Sequence, residues 1–252
     1  IRDSFRPAKS ETLVTSKAEC EIYEDEDGVY MDAVYFTIPH ESYPAMVRLV
    51  EIKNTSDKPM DLEVLDGLPV FFPHGLSNVD YKELVSLMAA YCVVEGLDDR
   101  TPFVKFKTST GDNSVVSLSP EGNGYFSIEE NGEKDVCIVD PALVFGGDLT
   151  TLEPLRFKEL NGKEFASQKG QTENKLPCAF TYREYKLEPG QSRRFATVYG
   201  YFEDFEKFKR AEKQLSFKAI LEKRQENLDL VDSLVEPASC HTCLLYTSAA
   251  AD

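Results

Sequence analysis

Cys240-His241-Thr242-Cys243 is the stretch of this 252-residue chain that most suggests metal chemistry: two thiols and an imidazole in four positions make half of a zinc centre. A closed zinc site takes four ligands. The other histidines are His40 and His74, and no second Cys-x-x-Cys occurs, so no metal site is expected. The acidic run at 24–28 is similar to a calcium loop only in composition. Its glycine falls where oxygen ligands belong and the closing Glu is missing, so a solvated hairpin tip is expected instead. Among the carboxylates, Asp98-Asp99 and Glu129-Glu130 are sequence neighbours that point apart. Asp66 before Gly67 and Asp112 after Gly111 read as turn residues. No nucleophile elbow, Walker loop, dinucleotide fingerprint or His-Glu-x-x-His occurs. Cys178 lacks an evident base partner, and Gly146-Gly147 lacks the strand-to-helix setting of a phosphate loop. The chain therefore offers no catalytic residue. Two residues remain as candidates for substrate binding. His74, held between Pro73 and Gly75, could hydrogen-bond a sugar hydroxyl or a neighbouring domain, or be satisfied locally. Tyr81 opens the following helix, where it could meet a partner.

Those residues need elements to position them. Period-two alternation marks strands at 48–53 and 60–65, with Asn54-Thr55-Ser56-Asp57-Lys58-Pro59 as hairpin-like turn chemistry between them. The sequon Asn54-Thr55-Ser56 is read as part of that turn. Further strands are expected at 11–17, 19–24, 29–38, 103–107, 114–118, 125–129, 179–187 and 192–201. Glycine turns are expected at 110–113 and 121–124, and Glu188-Pro189-Gly190-Gln191 reads as a type II hairpin turn. Apolar residues at 79, 84, 85, 87, 88 and 91 give a helical period over 79–94, capped by Ser77 or Asn78. The stretch 140–147 reads as a turn and an apolar step, and 149–173 as a long surface loop with a helical turn. From Glu203 the pattern becomes helical. Glu203 can pair with Lys207 and Glu206 with Arg210; apolar stripes run through 205, 208, 215 and 219, then 228, 231 and 235. Two helices should break near Ser216 and end before Pro237. The fold class is therefore mainly β, an antiparallel sandwich with an inserted helix and a helical C-terminal segment.

The order LEVLDGLP (62–69), Pro73-His74-Gly75 and an amphipathic helix resembles the N-terminal domain of bacterial β-glucan phosphorylases. These are the cellobiose-phosphorylase-like enzymes, including those acting on β-1,3-glucans. The likeness continues through PFVKFKTSTGD (102–112), Val139-Asp140-Pro141 and Leu176-Pro177-Cys178, covering roughly 20–236. The resemblance implies a galactose-mutarotase-like supersandwich over 1–201 and a helical linker over 202–237 leading to an (α/α)₆ barrel absent from this chain. It further implies inverting phosphorolysis of a β-glucooligosaccharide to α-glucose 1-phosphate, with inorganic phosphate as co-substrate, no cofactor, and homodimerisation. The catalytic acid would lie on the barrel, so this piece would be non-catalytic. Phosphate is already nucleophilic, so one acid suffices where an inverting hydrolase needs two carboxylates. The alternatives are a non-catalytic glycan-binding or structural sandwich, and the N-terminal domain of a related inverting hydrolase.

Composition sets outer limits. Hydrophobic residues make up 42% and aromatics 11%, without tryptophan, which weakens the glycan-binding alternative. A net charge of −16 disfavours nucleic acid and anionic membranes as partners. No apolar run reaches the ~20 residues of a membrane helix. Cys20, Cys92, Cys137 and Cys178 sit in apolar surroundings, as suits reduced thiols in a cytoplasmic protein. Cys243-Leu-Leu-Tyr-Thr-Ser248 is the peptide that a transposase-type sequencing adapter encodes. Residues 238–252 are therefore expected to be a non-native tail, and the chain a fragment.

Overall fold

The computed structural model describes residues 10–14, 18–110, 114–147 and 153–238. Among the described residues, eleven antiparallel strands form two sheets. The larger runs β1 (Ser10–Val14), β2 (Cys20–Glu26), β3 (Val29–Thr37), β4 (Ala45–Asn54), β11 (Ser192–Phe202), β8 (Gly122–Glu129), β7 (Phe103–Phe106), β6 (Cys92–Glu95). The smaller runs β5 (Met60–Leu68), β10 (Ala179–Leu187), β9 (Val136–Ile138). The mainly-β sandwich expected from alternation is what forms.

Helices complete the layering on both outer faces. On the large sheet, α6 (Phe205–Gln214) and α7 (Phe217–Val235) seat Phe208, Leu215, Phe217 and Ile220 against Phe36, Val47, Phe126, Val198 and Phe202. Ser216 caps α7 by accepting from Ala219 N, which is the break that the sequence marks. On the small sheet, α3 (Pro141–Phe145), α4 (Leu155–Glu159) and α5 (Gly162–Ala166) bring Phe145, Phe157 and Phe165 onto Phe180 and Tyr182. Each fully buried Phe contributes about 1.5–3 kcal/mol of transfer free energy. The segment 149–173, expected as surface loop, therefore carries core residues, and 140–147 is a capped helix with Asp140 at its N-cap and Pro141 in its first turn. Residues 148–152 lie outside the described set.

Two expected hairpins are corners between sheets. β4 pairs with β3 and β11, whereas β5 pairs with β10, so 55–59 carries the chain from one layer to the other. The turn at 188–191 does the same between β10 and β11, with Gln191 N donating to Glu188 O and Gly190 at φ +77°. Asn54 ties the corners together. Its buried amide donates to Lys58 O (2.8 Å) and Leu187 O (3.0 Å), and its Oδ1 accepts from Ser56 N and Ser56 Oγ. Alternation shows which residues face inward but not which strand lies beside which, and this amide settles the question. It also closes Asn54 to glycosylation in the folded chain.

Other expectations need correction. The helix over 79–94 is two short helices, α1 (Asn78–Glu83) and α2 (Val85–Tyr91), broken at Leu84, and from Cys92 the chain is already strand β6. Ser77 provides a capping box with Asp80. The apolar positions that set its period are mostly exposed: Val79 is 67% and Leu87 50% accessible, and Met88 is the buried one. The stretch 114–118 is not a strand; Leu118 is 83% exposed and makes a single bridge to Thr108. Gly122 and Gly124, expected in a turn, lie inside β8. A Cβ on Gly124 would come within 2.6 Å of the Phe208 ring, so close approach of α6 selects glycine there. The two-residue turn Asp27-Gly28 does form, both residues at positive φ.

Candidate functional site

The two sheets face each other across an interior that is not uniformly apolar. Val50, Ile52, Phe195 and Leu187 fill one end. Phe71, Val104, Tyr125 and Ala179 fill the other. Between them runs a polar seam. Arg48 on β4 pairs with Asp66 on β5, and its Nε donates to Tyr35 OH at 2.8 Å. Thr197 Oγ1 lies 3.5 Å from Asp66 Oδ2 and 3.1 Å from Ser127 Oγ. Arg183 Nη2, with two N–H groups, then lies within hydrogen-bond distance of Ser127 Oγ (2.8 Å), Thr181 Oγ1 (2.8 Å) and Asp135 Oδ2 (2.5 Å). Its guanidinium carbon stands 3.4 Å from the centroid of the Phe195 ring, and Glu129 lies 3.6 Å from its Nε, beyond hydrogen-bond reach. Tyr185 OH donates to Glu129 at 2.5 Å.

Burial and pairing set the charges along this seam. Burial works against the Arg48 cation, but Asp66 and Tyr35 more than offset it, so its pKa stands above the ordinary value. Burial raises Glu129; Asp135 adds to the rise, while Tyr185 and Arg183 oppose it. Tyr199 is raised by burial first, then by Asp66.

A cleft of about 340 Å³ opens where Arg48 and Asp66 meet, bordered also by Tyr35, Met46, Phe157 and Tyr199. Sequence reasoning placed Asp66 in a turn, yet it sits within β5 as a 9% exposed ion-pair partner. The missed signal was its phase. Asp66 follows Leu62 and Val64 at period two, just as Arg48 precedes Val50 and Ile52, so each strand places a charge on its apolar face.

His74 and Tyr81, the two residues nominated from sequence, occupy a separate rim. The exposed His74 ring packs on Tyr201 with centroids 4.3 Å apart, and Tyr81 meets Phe72 edge-on at 4.8 Å. Asn123 Nδ2 holds the Phe72 carbonyl at 2.9 Å. Tyr201 and Asn123 also line an open groove of about 530 Å³ with Phe71, Met46 and Tyr199. Tyr199 is thus shared by both concavities. Val79 of α1, Leu84 at the break and Val85 and Leu87 of α2, all exposed, carry the same rim outward as an apolar surface.

The remaining candidates are structural or dispersed. Glu129 points into the seam while Glu130 pairs outward with Arg194, so the neighbours diverge as expected. Asp99 binds Lys209 at 2.9 Å on the surface. Burial pushes the Cys92 and Cys137 thiols up to about 12 and Cys178 upward as well, so these three are protonated packing groups near neutral pH. Cys20 is free and partly buried. No cluster of three His, Cys, Asp or Glu suited to a metal occurs among the described residues. Asp112 and Cys240–Cys243 lie outside them. No helix of the described residues is long and apolar enough to cross a membrane.

Against known proteins, no family model and no curated protein matches the chain. Solved structures similar to it include a polysaccharide lyase (TM-score 0.35, 11% identity, covering 76% of this chain and 22% of the other). They also include a candidate kojibiose phosphorylase from the human microbiome (TM-score 0.42, 11% identity, 89% of this chain and 25% of the other). The chain spans about a quarter or less of the length of each.

Proposed function

We propose that this chain is the non-catalytic sandwich domain of an inverting glycoside phosphorylase. The intact enzyme would convert a β-linked glucooligosaccharide and inorganic phosphate to α-glucose 1-phosphate and a shortened acceptor. The observation that carries the reading is the rim at Phe72–Tyr81 and His74–Tyr201. Two aromatic pairs, exposed except for the half-buried Tyr201, stand beside an open groove and continue into an apolar surface on α1 and α2. Aromatic rings with polar tips suit the alternating C–H and hydroxyl faces of a sugar, and the apolar surface suits a partner domain or a second subunit. Pro73-His74-Gly75, which supplies part of this rim, also belongs to the sequence resemblance. In this reading the rim shapes the mouth of a catalytic cleft whose acid is supplied by another domain.

The test is an assay of the protein encoded by the complete gene with cellobiose and with laminaribiose. Release of glucose 1-phosphate that depends on added phosphate is expected. His74→Ala and Tyr81→Ala should raise KM for the oligosaccharide more than they lower kcat. Hydrolysis to free glucose that proceeds equally without phosphate would overturn the reading.

A further inference from the structure

The two sheets differ in breadth, and the difference leaves a backbone edge open. Among the described residues β5 pairs with β10 along one side and with no strand along the other. Its inward side chains mark where the small sheet stops. Asp66 meets Arg48 of β4, and Leu62 and Val64 pack near Ala33 and Val50. The large sheet runs on past them to β2 and β1. The cleft of about 340 Å³ lies at this step. Leu65, Gly67 and Leu68 of β5 form one wall, and Ile22, Met31 and Tyr35 of β2 and β3 form a partly buried floor. Strands within a sheet stand about 4.8 Å apart. The next strand position beside β5 therefore falls over that floor.

We propose that the free edge of β5 is a strand-addition site for an extended segment of a partner protein in which cationic and apolar residues alternate. An unpaired edge offers a row of backbone N–H and C=O groups, which an extended chain can pair. Alternate side chains of such a chain point to opposite faces of the sheet. On the inner face they would meet the floor of Ile22, Met31 and Tyr35, which calls for apolar residues. On the outer face they would meet carboxylates. Asp61 and Glu63 lie there in phase with Leu65, which packs on the side of α3, α4 and α5. Glu63 stands directly opposite Glu184 of β10, and both carboxylates lie within reach of the one Tyr182 hydroxyl, at 3.3 and 2.8 Å. Like charges placed opposite each other on a sheet face are destabilising. Lys186 stands opposite Asp61, which leaves Glu63 and Glu184 as excess negative charge that a cation from the added strand would relieve. A second copy of this chain is a poor occupant, because β5 is itself acidic and each chain carries a net charge of −16.

This surface goes beyond the domain reading and does not rest on it, because peptide binding is measured on this chain and phosphorolysis on the complete enzyme. Hydrogen exchange of the whole chain tests it. The probe is a short peptide alternating arginine and valine, and the equally charged control carries proline in place of each valine. The probe should slow amide exchange within 60–68 roughly 3- to 10-fold at saturation, and the control should not. Asp61→Lys, at an exposed position, should weaken binding of the probe roughly 3- to 10-fold while the circular dichroism stays that of the unaltered chain. Equal protection by the proline control would show attraction by charge alone and overturn the proposal. So would protection centred outside 60–68, or undiminished binding to the Asp61→Lys variant. Protection that appears only after residues 1–9 are deleted would make this chain's own N-terminal segment the occupant. No protection in either chain would show an edge closed to strands, and both of these outcomes also overturn the proposal.

Discussion

The two faces of the large sheet are built on opposite principles. Toward α6 and α7 it presents Phe36, Phe126, Val198 and Phe202, and the helices answer with Phe208, Leu215 and Ile220. Toward the small sheet, between two apolar ends, the same strands present Arg48, Ser127, Glu129 and Thr197, answered by Asp66, Arg183 and Asp135. The first interface is non-directional: any close-packed hydrocarbon of the right volume would hold it. The second is directional, since each hydrogen bond fixes where one sheet lies on the other. The difference implies that helix packing supplies stability while the seam fixes the sheets' mutual alignment.

Single deletions should hurt both faces, and pair replacement should separate them. Arg183→Ala leaves Asp135 and Glu129 buried without their cation and should cost about 3–5 kcal/mol. Phe208→Ala on the other face should cost a similar 3–5 kcal/mol through its cavity. Urea unfolding midpoints measure both. The contrast then lies in the double variant Arg48→Met with Asp66→Leu, which should be within about 1.5 kcal/mol of neutral although Asp66→Leu alone is strongly destabilising. A double variant as damaged as the single would show that the seam acts as ordinary packing and break the comparison.

A smaller effect is expected at the corners. Asn54→Ala removes the amide that joins the two inter-sheet turns and takes a donor from the buried Leu187 carbonyl, for about 1–3 kcal/mol. Hydrogen exchange should rise together in 54–59 and 187–191; a rise in one corner alone would refute the joint.

The smallest effect sits outside the seam and sharpens it by sign. Burial works against the Asp140 carboxylate, but Lys175 and the N–H groups of Gln171 and Ala142 prevail, so its pKa falls below the ordinary 3.8. A lowered folded-state pKa gives stability present above 3.8 and lost as pH falls through the lower folded value. Asp140→Asn should therefore be less stable than the unaltered chain at pH 7 by about 1 kcal/mol or less, with the gap closing in acid. Glu129 has the opposite sign: burial raises it, so it favours the fold more when protonated, and that contribution fades as pH rises through its folded value.

How much of this was legible depends on which physical rule each residue obeys. The Asp27-Gly28 turn, the Ser77 and Ser216 caps and the Glu203–Lys207 pair depend on neighbours a few positions away, and all form. The period at 79–94 misled because apolar spacing records a helical tendency, not a partner: Val79, Leu84 and Leu87 stand exposed. Gly122 and Gly124 misled because glycine serves both turns and close approach, and the groups that distinguish the two uses, Val104 O and the Phe103 ring at Gly122 and the Phe208 ring at Gly124, are distant in sequence.

Local chemistry along the chain was enough to determine that strands alternate, where most of them begin, that Ser77 or Asn78 caps a helix and that the assembly is a mainly-β sandwich. It was not enough to place β4 and β5 in different sheets, or to bring Arg48 to Asp66 and Tyr199 into their field. Those outcomes depend on pairings between distant strands. Period two fixes the face on which a side chain emerges, but the residue opposite it is chosen only when the layers close.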